Sequence, residues 1–367
     1  MSKIARFIFF LGCLVFVCIT ILNATASSKI DIGNEAIVLN YPSYFGNRFE
    51  IPVDNPTTKN GVYLGRLLFY EPLLSANNQI TCENCHQQKL AFTDGKAFSI
   101  GVDGSLTSRS AMSLSNLLWV KKFFWDGRVS TLESQAEFPM TSVHEMGQTL
   151  AKSATKLQQT SIYPNLFKRA FGSDSISGTL IVKAIAQFER TLISANSKYD
   201  QYLRGNYQLT LEEANGLKLF NQAPQPEKQI RGANCVHCHV TPKTFADVFH
   251  NNGLDSIPLD FGVGLQTGIA ADRGRFRTPT LRNIALTAPY MHDGRFKNLE
   301  AVLDHYSEHV LNSPSLSAVM QNNSNILGGK SLFLTNIEKK EIIAFLKTLT
   351  DSSFITDARF SNPHLNK

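Results

Sequence analysis

The chain has 367 residues, 43% of them apolar and 18% charged, which is enough apolar content to bury a core and excludes disorder or a collagen-like repeat. Its 36 basic and 30 acidic residues leave a formal charge of +6 with no long Lys/Arg run, which argues against nucleic acid as a partner. At roughly 150 residues per domain, the length predicts about two domains.

In chain order, the first element is an export signal. Lys3 and Arg6 precede an apolar run from Phe7 to Leu22, and Ala24-Thr25-Ala26 offers small residues for a cut after residue 26. The run has 16 residues, fewer than the roughly 20 that a spanning helix needs, so cleavage is expected rather than anchoring. Cys13 and Cys18 leave with the signal. The mature chain then keeps Cys82, Cys85, Cys235 and Cys238, in two short pairs, which rules out a disulfide scaffold.

Each pair opens a motif. Cys82-Glu83-Asn84-Cys85-His86 and Cys235-Val236-His237-Cys238-His239 both read C-x-x-C-H, the attachment signature of c-type haem. Two thiols one turn apart can add to the two vinyl groups of one porphyrin, and the next His then lies under the iron as its proximal ligand. A four-cysteine zinc site or a thioredoxin-type pair would not account for a His after the second Cys both times. His237 reads as a spacer.

Elsewhere the pattern is mainly helical and strand signals are sparse. A linker is expected at 197–208, and the Gly/Pro/Asn-rich stretches 221–234 and 253–272 read as loops around the haems. Thr210-x-x-Glu213 and Thr335-x-x-Glu338 are capping boxes ahead of amphipathic stretches. On the helix that begins near Asn298, Leu299, Val302, Leu303 and Tyr306 share one face, with His305 well round from it and His309 at its edge. Ile342, Phe345, Leu346 and Leu349 form the apolar face of the last helix.

The two halves can be laid over each other. Trp125-Asp126-Gly127-Arg128 with Thr131-Leu132-Glu133 matches His292-Asp293-Gly294-Arg295 with Asn298-Leu299-Glu300 at a constant offset of 167, and Leu114 and Asn116 match Leu281 and Asn283 at the same offset. Gly65-Arg-Leu-Leu-Phe69 precedes the first Cys pair as Gly216-Leu-Lys-Leu-Phe220 precedes the second, and Phe188-Glu-Arg-Thr-Leu192 resembles Phe345-Leu-Lys-Thr-Leu349. The expected organisation is a signal at 1–26, an N-terminal haem domain at 27–200, a C-terminal haem domain at 205–353 and a tail at 354–367. The fold class is mainly α: two tandem cytochrome c-like haem domains related by internal duplication.

From about Gly61 to Leu349 the chain resembles the bacterial dihaem cytochrome c peroxidase family, which includes the methylamine-utilisation dihaem enzyme that oxidises tryptophans in a partner protein. The resemblance rests on Leu74-Ser75 before the first haem motif, Phe124-Trp125-Asp126-Gly127-Arg128, Leu132-Glu133-Ser134-Gln135 and Glu145-Met146. It continues with Arg277-Thr-Pro-Thr-Leu-Arg-Asn283 and Pro289-Tyr-Met-His-Asp-Gly294. It implies a periplasmic enzyme with two covalent haems c. His86 would be the proximal ligand of the peroxide-reacting iron and His239 that of the electron-relay iron. It implies that Glu145 serves as general acid-base catalyst, that Gln135 holds the iron-bound oxygen and that Trp125 passes the oxidising equivalent between the haems. By default, Glu145 would be a solvated charge, Trp125 a core aromatic and His144 a surface residue.

A peroxide-reacting iron needs an open position, whereas a relay iron can be capped on both faces. Tyr306 is the expected sixth ligand of the second iron, and the residue 167 positions earlier is Pro139, which cannot ligate. A core tyrosine is the alternative, which would leave the ligand to His309, Met291 or His292. The family usually has Met at this place, while the methylamine-utilisation enzyme has Tyr. Many of the peroxidases also carry a distal His after the first haem motif; here Ser99-Ile100-Gly101 is followed by Val102, so no reductive activation is expected. The resemblance further implies a calcium ion on carbonyls at Thr287 and Pro289, with Ser110 where the family's Asn is expected. Hydrogen peroxide and a small electron donor, a cytochrome c or a cupredoxin, are the expected partners, and a homodimer is an allowed state. The rival functions are a peroxide-dependent oxidase acting on a partner protein's side chain and a non-catalytic dihaem electron carrier.

Overall fold

The computed structural model describes residues 35–365, so the export signal lies outside the described residues. The main helices are α1 (Lys59–Phe69), α2 (Leu132–Thr141), α3 (Leu150–Gln158), α4 (Tyr163–Phe171), α5 (Gly178–Glu189), α6 (Lys198–Leu203), α7 (Leu211–Asn221), α8 (Leu299–Glu308), α9 (Asn336–Lys347) and α10 (Ser352–Thr356). Among the described residues the only sheet is a two-stranded antiparallel ribbon, β1 (Phe249–His250) and β2 (Phe276–Arg277). The mainly α class is therefore as expected. Both predicted capping boxes form, with the Thr210 and Thr335 hydroxyls accepting from the N–H of Glu213 and Glu338 while those carboxylates accept from the Thr N–H.

The duplication holds at the level of single atoms. In the first half α1 crosses α5, and in the second α7 crosses α9. Gly65 and Gly216 make these crossings possible: a Cβ at either would lie 1.9 Å from a backbone oxygen, of Ala184 in one half and Glu341 in the other. Asn116 and Asn283 both adopt left-handed backbone, at φ 62° and 61°. The α2 and α8 helices begin at Leu132 and Leu299, 167 residues apart, on Thr131 and Asn298 caps. The halves meet through a reciprocal pair of bonds between equivalent residues, Ser110 N–H to His292 O at 2.8 Å and Arg277 N–H to Trp125 O at 2.7 Å.

Two expectations need correction. The segment 197–208 is no loose linker: it contains α6, whose Asp200 is fully buried in an ion pair with Arg282, and Tyr199 joins the second core. Its polar composition reads as loop, but the long-range charge pair decides. The segment after 353 is no free tail either. Phe354 and Phe360 enter the first half's core beside Phe69 and Phe92, and Tyr70 Oη donates to Phe360 O at 2.6 Å. The chain's end thus returns to the half in which it began.

Candidate functional site

The two C-x-x-C-H segments fold alike. Each is a single tight turn, Cys82–Asn84 and Cys235–His237, with the fourth residue's N–H bonded to the first Cys oxygen at 3.2 Å and the His N–H at 2.9 Å. Burial pushes all four thiols up, Cys235 to about 12 and Cys238 to about 11. They are poor thiolates, so neither pair suits nucleophilic redox chemistry. His86 Nδ1 donates to Phe92 O at 2.8 Å, and His239 Nδ1 to Pro279 O at 3.1 Å. A carbonyl can only accept, so both imidazoles are fixed as the Nδ1–H tautomer with Nε2 left for a metal. Burial lowers both histidines, His239 to about 4, which keeps them neutral. Each motif opens on a cavity, and this donor set fits one haem c in each.

The first cavity, about 590 Å³, is walled by Cys82, Cys85, His86, Gln135, Pro139 and Glu145 among others. Gln135 Oε1 is buried there with no hydrogen-bond partner. Burial raises the Glu145 carboxyl, against the opposing pull of Arg128 and a hydrogen bond from Ser142. Glu145 is therefore half-buried wall rather than solvated surface. The loop expected to lack a ligand holds it in place: Val102 N–H donates to Glu145 O at 2.7 Å, and Gly101 lies so close to His144 O that a Cβ would be 1.8 Å away. Ile100 and Gly101 are that loop's contribution to the wall. His144 points outward to Asp103 at 2.8 Å, a surface pair. Met146 and Glu189, to which the sequence assigned no role, also line this wall.

The second cavity is larger, and its lining includes Trp125. Tyr306 lines it at the position equivalent to Pro139 in the first. Burial raises its phenol to about 12, and a hydrogen bond from Asn252 opposes the rise. Asn252 Nδ2 lies 3.1 Å from Tyr306 Oη and 3.6 Å from Met291 Sδ, so one amide reaches both of these candidate ligand atoms. Nothing in the sequence pattern marked Asn252. Met291 and His292 also line this cavity, whereas His309 is exposed at the helix end with Nδ1 on Asp304 O. His305 is buried despite its angular position, its Nε2 donating to Asn252 O at 3.0 Å and so steadying Asn252.

Trp125 stands between the halves. Its Nε1 donates to Ser110 O at 2.9 Å, and its ring lies edge-on to its own duplicate, His292, at 6.5 Å between centroids. Arg277, fully buried beside it, has its pKa pulled down to about 10 by desolvation and has no carboxylate in ion-pair range, though it faces the second cavity. Thr287 and Pro289 line that cavity as well, but the Ser110 hydroxyl donates to Met291 O at 2.9 Å, and Asp126 and Asp260 are held by Arg109. Two carbonyls without a side-chain oxygen make a poor donor set for calcium, which takes six to eight oxygens.

Comparison with known proteins agrees with this geometry. A family model described as di-haem cytochrome c peroxidase matches residues 59–208. A methylamine utilization protein MauG of Methylophilus methylotrophus is 34% identical over 299 residues, 81% of this chain and 84% of that one. The cytochrome c551 peroxidase of Nitrosomonas europaea is 32% identical over 306 residues, covering 82% and 83%. Among solved structures, a MauG-like protein associated with microbial copper homeostasis aligns with a TM-score of 0.79 at 36% identity, over 90% of this chain and 100% of that one. The diheme peroxidase BthA from Burkholderia thailandensis, at 20% identity and a TM-score of 0.68 over 90% and 95%, shares the fold.

Proposed function

This chain belongs to the di-haem cytochrome c peroxidase family, oxidoreductases that act on peroxide, and from that premise we propose that it reduces hydrogen peroxide in the first cavity with electrons drawn through the second. One haem c would be carried by Cys82, Cys85 and His86, and another by Cys235, Cys238 and His239, on the two halves 27–200 and 205–353. The observation that carries this reading is the unlike pair at equivalent helix positions, Pro139 in the first wall and Tyr306 in the second.

Bound haem supplies the iron that takes peroxide in one cavity and relays electrons in the other. The chain's own residues do the rest. Glu145, its carboxyl raised by burial, would take a proton from the near peroxide oxygen and return it to the far one, which leaves as the first water, and two electrons from the donor with two protons would turn the oxygen left behind into the second. Gln135, whose Oε1 has no protein partner, orients the oxygens with its amide. Tyr306 would hold the second iron, with Asn252 donating to its oxygen. Arg277 and His250, whose Nε2 is buried without a partner, face the second cavity and suit the haem's propionates. Trp125, which lines the second cavity with Ser110 and His292, would pass the oxidising equivalent between the haems. The mechanism uses no calcium.

A second reading, a peroxide-dependent oxidase that modifies a partner protein's side chain, is favoured by Tyr306, because an anionic oxygen ligand stabilises oxidised iron where a thioether favours reduced iron. An export signal at 1–26 would put either activity in the periplasm, and no helix among the described residues is long and apolar enough to cross a membrane. Denaturing mass analysis of protein made with a haem-maturation system should give two covalent haems. Steady-state peroxide turnover with reduced cytochrome c, beside a screen for oxidised residues in co-purifying proteins, then separates the readings. Turnover supports the first and its absence with oxidised partner residues supports the second. Neither result, with both haems bound, leaves the non-catalytic carrier.

A further inference from the structure

Duplicated halves give each wall residue a natural control, namely its counterpart in the other half. At the end of α5, Phe188-Glu189 corresponds to Phe345-Leu346 near the end of α9, and the two crossings fix this register, since Phe188 and Phe345 Cβ lie equally close to Gly65 and Gly216. Leu346 lines the second cavity and Glu189 the first. A structural role at this place is thus filled by a leucine in one half.

The carboxyl in the other half is costly. Glu189 is 4% exposed, and its Oε2 is sealed from solvent without a hydrogen-bond partner. Burying such a group unpaired is unfavourable. The adjacent cation does not relieve it: Arg190 turns away to the Glu133 carboxylate and to Asn55 O at 3.0 Å. Glu133 and Arg190 are the charged groups acting on Glu189, and Glu189 and Glu145 both act on Cys82 across the cavity. Burial and the nearby Glu133 charge raise the Glu189 carboxyl to about 8, so it keeps its proton at neutral pH. The cost therefore falls on the half where peroxide reduction consumes protons.

We propose that Glu189 is a proton-exchange site for the first haem, binding one proton when that haem gains one electron and releasing it when the electron leaves. At pH above the Glu189 pKa in the oxidised state, each one-electron reduction of that iron, by the electron donor of the peroxidase reaction, would convert the Glu189 carboxylate to the neutral acid, so the net charge of the buried site stays constant. The second half, with Leu346, has no such group. This inference rests on the reading that a haem occupies the first cavity, which mass analysis tests separately.

The test is a redox titration of both haems in the intact dihaem protein, over about two pH units either side of about 8, for wild type, Glu189→Gln, Glu189→Leu and Glu145→Gln. One proton per electron corresponds to a tenfold change in the reduction equilibrium per pH unit, about 59 mV. The wild type and Glu145→Gln should show this slope for the first haem above the carboxyl's pKa in the oxidised state, and both Glu189 variants should lose it. The second haem should behave alike in all four. A slope kept in the Glu189 variants, or lost only in Glu145→Gln, overturns the proposal. Infrared difference spectra of wild type alone, taken above that pKa, are independent of variant folding: a protonated carboxyl band that grows on reducing the first haem and shifts in heavy water supports the proposal, and no such band overturns it.

Discussion

The first and second cavities share one frame and differ in their walls. Both are entered by the same tight Cys turn, both have a His held by a backbone carbonyl, and both lie under the same glycine-mediated helix crossing. At equivalent points of α2 and α8 stand Pro139 and Tyr306; at equivalent points of α5 and α9, Glu189 and Leu346. At the meeting of the halves, Trp125 faces His292. The lesson is that the covalent and backbone geometry needed to hold a haem tolerates little change, whereas the side chains that decide what its iron can do are free to diverge. One half acquired acid groups, and the other a phenolic oxygen.

The largest test of that contrast removes the acid. Glu145→Gln should lower peroxide turnover by about 10²- to 10⁴-fold with both haems retained, as read by steady-state kinetics and haem content. The pH profile follows from the same group. To accept the first proton Glu145 must be ionised, and its pKa lies above the ordinary 4.5. Wild-type turnover should therefore fall as pH drops through a midpoint above that value, and the Gln variant should lose this limb. Unchanged turnover would return Glu145 to the role of a structural wall residue.

Next in size is the swap at the other sixth position. Tyr306→Met should raise the potential of the second haem, since a thioether stabilises ferrous iron relative to a phenolic oxygen. The variant should take electrons from cytochrome c more readily, as redox titration and stopped-flow spectra would report. Unchanged potentials would make Tyr306 a core residue and leave Met291 or His292 as the ligand. Asn252→Leu should move the potential the other way and by less, because a donated hydrogen bond draws charge from the phenolic oxygen and so favours reduced iron. A hydrogen bond to a charged group is worth about 1.5–3 kcal/mol, roughly one to two powers of ten in the reduction equilibrium. If Met291, within reach of the same amide, takes over the iron, the spectrum of Asn252→Leu should approach that of Tyr306→Met.

These contrasts were not equally legible in the sequence. The C-x-x-C-H motifs, the offset of 167 and the inward face of Tyr306 were plain, because thioether attachment and helix periodicity are local constraints. Asn252 and Arg277 were not, because each acquires meaning only when a loop or a ribbon strand is brought against the second cavity. The stretch 197–208 misled for the same reason: its buried partner, Arg282, is more than eighty residues away. The segment after 353 carries Phe354 and Phe360 with no periodicity to announce their burial, and only the folded chain shows that they complete the first core. Glu189 was visible in the aligned Phe-Glu-Arg-Thr-Leu and Phe-Leu-Lys-Thr-Leu strings, but its meaning depends on which wall it enters.

The smallest expected effect tests whether the first cavity is open. Pro139, Ile100 and Gly101 place no ligand in its wall, yet Met146 Sδ belongs to a residue that lines it, and a thioether can bind iron. Met146 is 3% exposed and packs in the first core with Leu74, Ala136 and Met140, which is the environment of a space-filling methionine. Met146→Leu should therefore leave the visible spectrum and turnover unchanged and cost less than about 1.5 kcal/mol of stability, as a volume-conserving swap does. The fully oxidised wild type should likewise react with peroxide in stopped-flow mixing without prior reduction. If wild type reacts only after one electron has been added while Met146→Leu reacts at once, Met146 caps the first iron, and the two cavities differ in which residue closes them rather than in whether they are closed.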